Sequence, residues 1–481
     1  MTSSDVIRQI NGVVNRERIA SYLRGISIGS GVRIGGLATQ LLVLVILSRI
    51  MPKGSFGDMM TAFGFYRLAA TALGVGPSLV LFFHISRHPE DRVLEVKLHR
   101  YSALLGAAAS LALAITSFAT AGTIADIFDK PGLEYWFRAL APLAVFGTLL
   151  IIATGALEGR SRVSDSILFG DVVPSALRLV GLAVIALFDL PVDSIAYVLT
   201  LSVAAPWLWA ARRLWQPSIS GVLRWSAWDY RYCGKFGIST LFAYQLNATD
   251  VLVASALFSS EAVADYVIAA RIAAMFSFLQ IVVLKWFSPR AGSLLPIGDL
   301  GALRREVELC SALTISCCCL TIAGILCVTP LLLPLFGDYA RSLSLVVWLA
   351  IPTFVQSFYL TSDRLLVISG NANVALILTA SSFLTLILVP IATADRFGLT
   401  SIPLAMLLAM IVFQPIVAVR VKAMFDIRTI GPVEAAAIIL GCVALVVYAL
   451  KYTPLTDAIG CFAMSAVAMY YIATAAKQRL G

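Results

Sequence analysis

Residues 25–82 form two long apolar runs joined by a short polar link, Arg49-Ile-Met-Pro-Lys-Gly-Ser-Phe-Gly-Asp58. Each run carries an arginine well inside it, Arg33 in the first and Arg67 in the second. On insertion scales a charged side chain at the bilayer centre costs roughly 2.5–3.5 kcal/mol, so two arginines facing lipid would be poorly tolerated. They are expected to face a shared, positively charged polar interior.

The rest of the chain supports a membrane setting. Of its 481 residues, 59% are hydrophobic and 13% charged, and the mean hydropathy is +0.90. That composition excludes an ordinary water-soluble globule and points to an all-α, polytopic membrane protein. Stretches of roughly 20 apolar residues, enough to span, number fourteen: 25–48, 58–82, 101–125, 135–157, 167–188, 194–211, 236–258, 263–283, 309–336, 343–362, 374–394, 402–419, 433–450 and 458–476. Residues 1–24 carry four arginines and no uninterrupted apolar core of a signal peptide. Their apolar positions, including Val6, Ile10, Val13 and Val14, share one helical face, as in a segment lying on the membrane surface.

Charge sets the expected orientation. Of the 36 lysines and arginines, 25 fall in the tails and loops on the side of the N-terminus, 6 in the opposite loops and 5 within spans. This bias places both termini in the cytoplasm. It also explains the net charge of +9 without nucleic acid, because the basic residues are scattered among short loops. The eight cysteines make no framework for disulfides and read as packing residues.

An internal repeat is suggested at an offset of about 207 residues, which lays Ser48–Met59 over Ser255–Tyr266 and Gln40 over Asn247. It places span 1 on span 7 and span 2 on span 8. The expected architecture is two six-helix lobes related by a pseudo-two-fold axis along the membrane normal, plus a C-terminal helix pair. In domain terms, 1–24 is the interfacial segment, 25–212 the N-lobe, 213–235 a cytoplasmic linker, 236–424 the C-lobe and 432–477 the terminal hairpin.

Arg33, Arg67, Arg178 and Arg271 each lie about 12–17 Å from the nearest span end, by the 1.5 Å rise per residue, and so near the midplane. Carboxylates at that depth are scarce: Asp250 is in span 7, and Asp171 lies closer to the end of span 5. One arginine could pair with Asp250, and another could satisfy carbonyls freed at Pro77 or Pro174. Four cations outnumber such partners, and an uncompensated guanidinium cluster in low dielectric suits an anion, phosphate above all. Gln40, Asn247, Gln280 and Gln356 add polar groups within spans, where hydrogen bonding between helices is the alternative reading. The histidines His84, His88 and His99 lack the further ligands a metal site needs. There is no Walker motif and no nucleophile motif, so the chain does not read as an enzyme.

The Gly-rich first span, the 49–58 link, the run Asn247-Ala-Thr-Asp250, the run Ala264-Asp-Tyr-Val-Ile-Ala-Ala-Arg271 and Leu157-Glu-Gly-Arg-Ser-Arg162 resemble Wzx-type polysaccharide flippases. These belong to the multidrug/oligosaccharidyl-lipid/polysaccharide (MOP) exporter superfamily. The resemblance implies a two-lobed bundle that carries an undecaprenyl-pyrophosphate-linked oligosaccharide, an exopolysaccharide or O-antigen repeat unit, from the cytoplasmic to the outer leaflet of a bacterial inner membrane by alternating access. It implies functional arginines at Arg33, Arg67 and Arg271. Arg178, Gln40 and Asn247 join them as substrate-binding candidates, with Asp250 a candidate for a coupling proton or sodium ion. No cofactor or resident metal is called for. Implied partners are the lipid-linked anionic oligosaccharide, membrane lipids and a polysaccharide polymerase or export machinery. A multidrug exporter of the same superfamily is the nearest alternative, though its organic cations would favour an acidic cavity. A membrane glycan polymerase or ligase is more distant.

Overall fold

The computed structural model describes residues 35–36, 38–87, 91–160, 162–214, 249–295, 298–339, 341–369, 372–427, 432–450, 467 and 470–471. Among these residues there is no strand. The elements are α1 (Ala38–Ile50), α2 (Lys53–Arg87), α3 (Arg92–Ala119), α4 (Ala121–Ile127), α5 (Gly132–Gly159), α6 (Val163–Ile167), a π turn (Leu168–Val172) and α7 (Val173–Phe188). They continue with α8 (Ser194–Leu214), α9 (249–257), α10 (Ser260–Ala273), a 3-10 turn (Ala274–Ser277), α11 (Phe278–Leu294), α12 (Leu300–Phe336), α13 (Ser342–Ile368), α14 (Ala372–Phe397), a second 3-10 turn (Gly398–Thr400), α15 (Ser401–Phe425) and α16 (Pro432–Leu450). Nine described runs are long and apolar enough to cross a membrane, and one of them, Leu376–Phe425, contains both α14 and α15. The expected segment 1–24, the linker 213–235 beyond Leu214, most of span 7 and most of span 14 lie outside the described residues.

Several helices begin earlier than hydropathy alone places them. The second span was expected from Asp58, yet α2 starts at Lys53 and Asp58 is buried inside it. The third starts at Arg92, where the Asp91 carboxylate accepts from the Leu94 N–H at 2.9 Å and caps the first turn. It stops at Ala119, and the residues expected to complete it form the separate α4. The ninth starts at Leu300 under the Asp299 cap, which accepts from the Ala302 N–H at 2.9 Å. Its 37 residues span roughly 55 Å, well beyond a hydrocarbon core of ~30 Å, so its charged first turns project from the bilayer. In each case a capping carboxylate or a polar first turn carries the helix past the apolar boundary.

The interior is organised around α5 and α13, the most buried of the candidate spans. Both lie in the centre of their halves, α5 against α2, α3 and α8, and α13 against α12, α15 and α16. The α2–α5 contact depends on Gly155 and Gly159, one helical turn apart on α5. A Cβ on Gly155 would run into Ser78 Oγ and the Ser78 carbonyl, and one on Gly159 would sit 2.9 Å from Ile85 Cβ. Small residues at i and i+4 let the two backbones approach closely, which is how helices associate where lipid removes the hydrophobic drive.

Candidate functional site

Three of the four midplane arginines lie among the described residues, and the fold brings them together. Arg67 is near the middle of α2, Arg178 lies on α7 and Arg271 occupies the last turn of α10. The charges of Arg67 and Arg271 both act on Arg178, and Arg67 also acts on Arg271. Arg67 is accessible and the other two are half-buried. Arg33 and Asn247 lie outside the described residues. Gln40 is exposed on α1, and among the described residues no hydrogen bond joins it to the arginines.

Local irregularities adjoin the helices that carry two of these side chains. Pro174 lacks an N–H and cannot complete the ordinary helical bond, so span 5 contains a π turn in which the Val173 N–H reaches back to the Leu168 carbonyl. The extra residue rotates α7 relative to α6. Downstream, Arg178 Nε donates to Ser202 Oγ of α8 at 2.9 Å, and its guanidinium lies 5.4 Å from the centre of the Phe63 ring. Arg271 precedes the 3-10 turn that separates α10 from α11. Thr321 of α12 donates to the Phe276 carbonyl in that turn at 2.7 Å, satisfying an acceptor that the break would strand. Thr321→Val is expected to cost about 1 kcal/mol, read as a lower unfolding midpoint in detergent with the helical content unchanged.

Two carboxylates accompany the arginines. Asp250 on α9 is buried; its Oδ1 accepts from the Val251 N–H at 2.8 Å and its Oδ2 from the Tyr266 hydroxyl at 3.0 Å. Its negative charge acts on Arg271. Asp171, exposed on the π turn, acts on Arg67. Among the described residues none of the three arginines is locked in a direct ion pair. Three guanidinium groups against two carboxylates leave the cluster net positive, with most of its N–H donors uncommitted. The arrangement can hold an anion with several phosphate or carboxylate oxygens. Among the described residues no three His, Cys, Asp or Glu side chains group as a metal site. Gln280 is buried on α11 beside Cys318 of α12, a packing position, while Gln356 is half-buried on α13.

Sequence reasoning missed the groups that position the arginines and Asp250. Ser202 and Phe63 are ordinary residues within apolar spans. Tyr266 stood inside the 264–271 run, and its i+16 relation to Asp250 gave no sign of contact. The π turn had one visible cue, Gly170 and Pro174 flanking Asp171.

No family model matches the chain, and no curated protein does. Solved structures do match. An inward-facing multidrug-resistance MATE transporter of the MOP superfamily superposes with a TM-score of 0.67 at 18% identity, covering 81% of this chain and 96% of that one. Lipid II flippase MurJ in an inward closed conformation superposes with a TM-score of 0.70 at 14% identity, over 94% and 99%. A MOP superfamily transporter from Pyrococcus furiosus, described by a reversed polarity of its binding pocket that suggests a different function, superposes at 0.59 with 17% identity, over 83% and 94%. This chain is therefore a multi-span membrane protein with the fold shared by MOP superfamily transporters and the lipid II flippase.

Proposed function

We propose that the chain is a flippase for a lipid-linked anionic oligosaccharide, an undecaprenyl-pyrophosphate-bound repeat unit of an exopolysaccharide or O-antigen, moved from the cytoplasmic to the outer leaflet by alternating access. The observation that carries this reading is the convergence of Arg67, Arg178 and Arg271, drawn from both halves, into a net-positive cluster. Guanidinium forks match pyrophosphate oxygens, while a polyprenol tail remains in lipid. Outward movement of negative charge across an inside-negative potential is favourable by about 2.3 kcal/mol per charge per 100 mV. The likeness to a lipid II flippase supports a lipid-linked substrate. Arg33, Gln40 and Asn247 complete the substrate contacts, and Asp250 takes the proton or sodium ion that resets the cycle. Both termini face the cytoplasm from a bacterial inner membrane, and the product passes to a polysaccharide polymerase or export machinery.

The fold likeness to MATE transporters favours a second reading, export of organic cations. Binding to the purified protein separates the two. A glycosylated short-chain polyprenyl pyrophosphate should bind and be displaced by inorganic pyrophosphate, while a lipophilic organic cation should not compete. Binding of the cation alone would select the second reading.

A further inference from the structure

At the end of the bundle that carries the α1–α2 link, polar contacts tie the two halves together. Lys53 Nζ pairs with Asp265 Oδ1 at 2.8 Å, donates to the Asp338 carbonyl at 3.1 Å and lies 4.8 Å from the centre of the Tyr339 ring. Ser342 Oγ donates to the Asp265 carbonyl at 3.0 Å and steadies the acceptor. Across the same contact, Ser260 Oγ donates to Asp58 Oδ1. Arg49 donates to the Leu335 and Pro334 carbonyls at 2.8 and 2.6 Å, and Lys130 Nζ donates to the Ser255 carbonyl at 2.7 Å. The Lys130 amine is so enclosed that burial pushes it down to about 8, against the pull of Asp58.

These contacts are reciprocal. The 207-residue offset carries Lys53 onto Ser260 and Asp58 onto Asp265. The pair Lys53–Asp265 is thus the repeat-mate of Ser260–Asp58, the pattern of a self-complementary interface about a two-fold axis. The outer contacts follow the same rule. The end of α1 meets the last turn of α12 through Arg49, and the end of α9 meets the segment after α4 through Lys130. At the centre Gly57 permits the approach, because a Cβ there would collide with the Ser260 carbonyl oxygen.

We infer that the N-terminal ends of α2 and α10 form a pseudo-symmetric polar latch, Lys53–Asp265 and Asp58–Ser260 closed over Gly57, that holds this end of the bundle shut and must part for the other access state. The hydrogen bonds and the ion pair at this joint suit repeated opening, since water can replace each of them once the halves separate. The latch is lopsided: one side is a direct ion pair, its mate a hydroxyl bond with the charge of Lys130 acting on Asp58 from the segment after α4. That this end faces outward rests on the orientation proposed above; the latch itself does not.

The test is a distance measurement on the full chain in lipid, with spin labels at Asp129→Cys and Glu261→Cys, exposed sites on either half, in a background free of native cysteine. The unaltered latch should give one short distance. Lys53→Ala and Gly57→Ala should each raise a longer-distance population about tenfold. Lys53→Asp with Asp265→Lys should restore the short one. Gly57→Ala and the charge exchange act differently on folding, so misfolding of one leaves the other to decide. An unchanged distribution in Lys53→Ala and Gly57→Ala would overturn the latch. Distances that move as expected in a protein that flips no lipid would leave the latch standing and count against the flippase reading.

Discussion

Replacing Arg271 by Gln is expected to lower flipping of a pyrophosphate-linked glycolipid at least about a hundredfold, with Arg67→Gln close behind. The size follows from the cluster's electrostatics. A charge-assisted hydrogen bond in a dry site is worth roughly 1.5–3 kcal/mol, and two such bonds of one guanidinium fork exceed the 2.7 kcal/mol that a hundredfold change represents. Arg271 is also the cation beside the buried Asp250, so its removal takes away that carboxylate's compensating charge. Arg178→Gln should cost less, because Arg178 is partly committed to Ser202 and Phe63. Flipping per folded molecule, normalised by size-exclusion profile and reconstituted amount, is the check. Activity within twofold of the unaltered protein in both Arg67→Gln and Arg271→Gln would make the arginines structural.

The second large effect concerns folding. Gly155→Val is expected to abolish recovery of monodisperse protein, because its Cβ would collide with the Ser78 hydroxyl and carbonyl where α2 and α5 press together. Overpacking a filled contact typically costs 1–3 kcal/mol, and here the obstacle includes backbone that cannot swing aside. Against a total stability of roughly 5–15 kcal/mol, splitting α2 from the helix at the centre of its half is enough. Gly324→Ala is the matched control, since a Cβ there meets nothing within 4 Å, and it should be recovered at the unaltered level. Fluorescence-detected size exclusion distinguishes the two.

Much of the helical layout was legible in the sequence, and the reason is physical. A membrane span must satisfy its backbone internally and be apolar over ~30 Å, so its position shows as a bare hydrophobic run. The caps at Asp91 and Asp299 extend helices beyond those runs, which hydropathy alone does not register. The depth of Arg67, Arg178 and Arg271 could be counted along the chain, but not the π turn before Pro174 and the 3-10 turn after Arg271 that interrupt the spans carrying two of them. Neither leaves a periodic signal. Lys53 and Asp265 were visible only as members of a link and of a span. Their pairing joins residues on different halves, and a single sequence carries no record of that contact beyond the offset that places Asp58 over Asp265.

The most direct measurement is leaflet translocation by the unaltered protein in proteoliposomes, using a fluorescent glycosylated polyprenyl pyrophosphate and a membrane-impermeant quencher. The account predicts that protein-containing vesicles flip the pyrophosphate lipid, and that the same glycan on a polyprenol without phosphate stays where it was placed. Vesicles that leave the pyrophosphate lipid in place while accumulating an organic cation would contradict it.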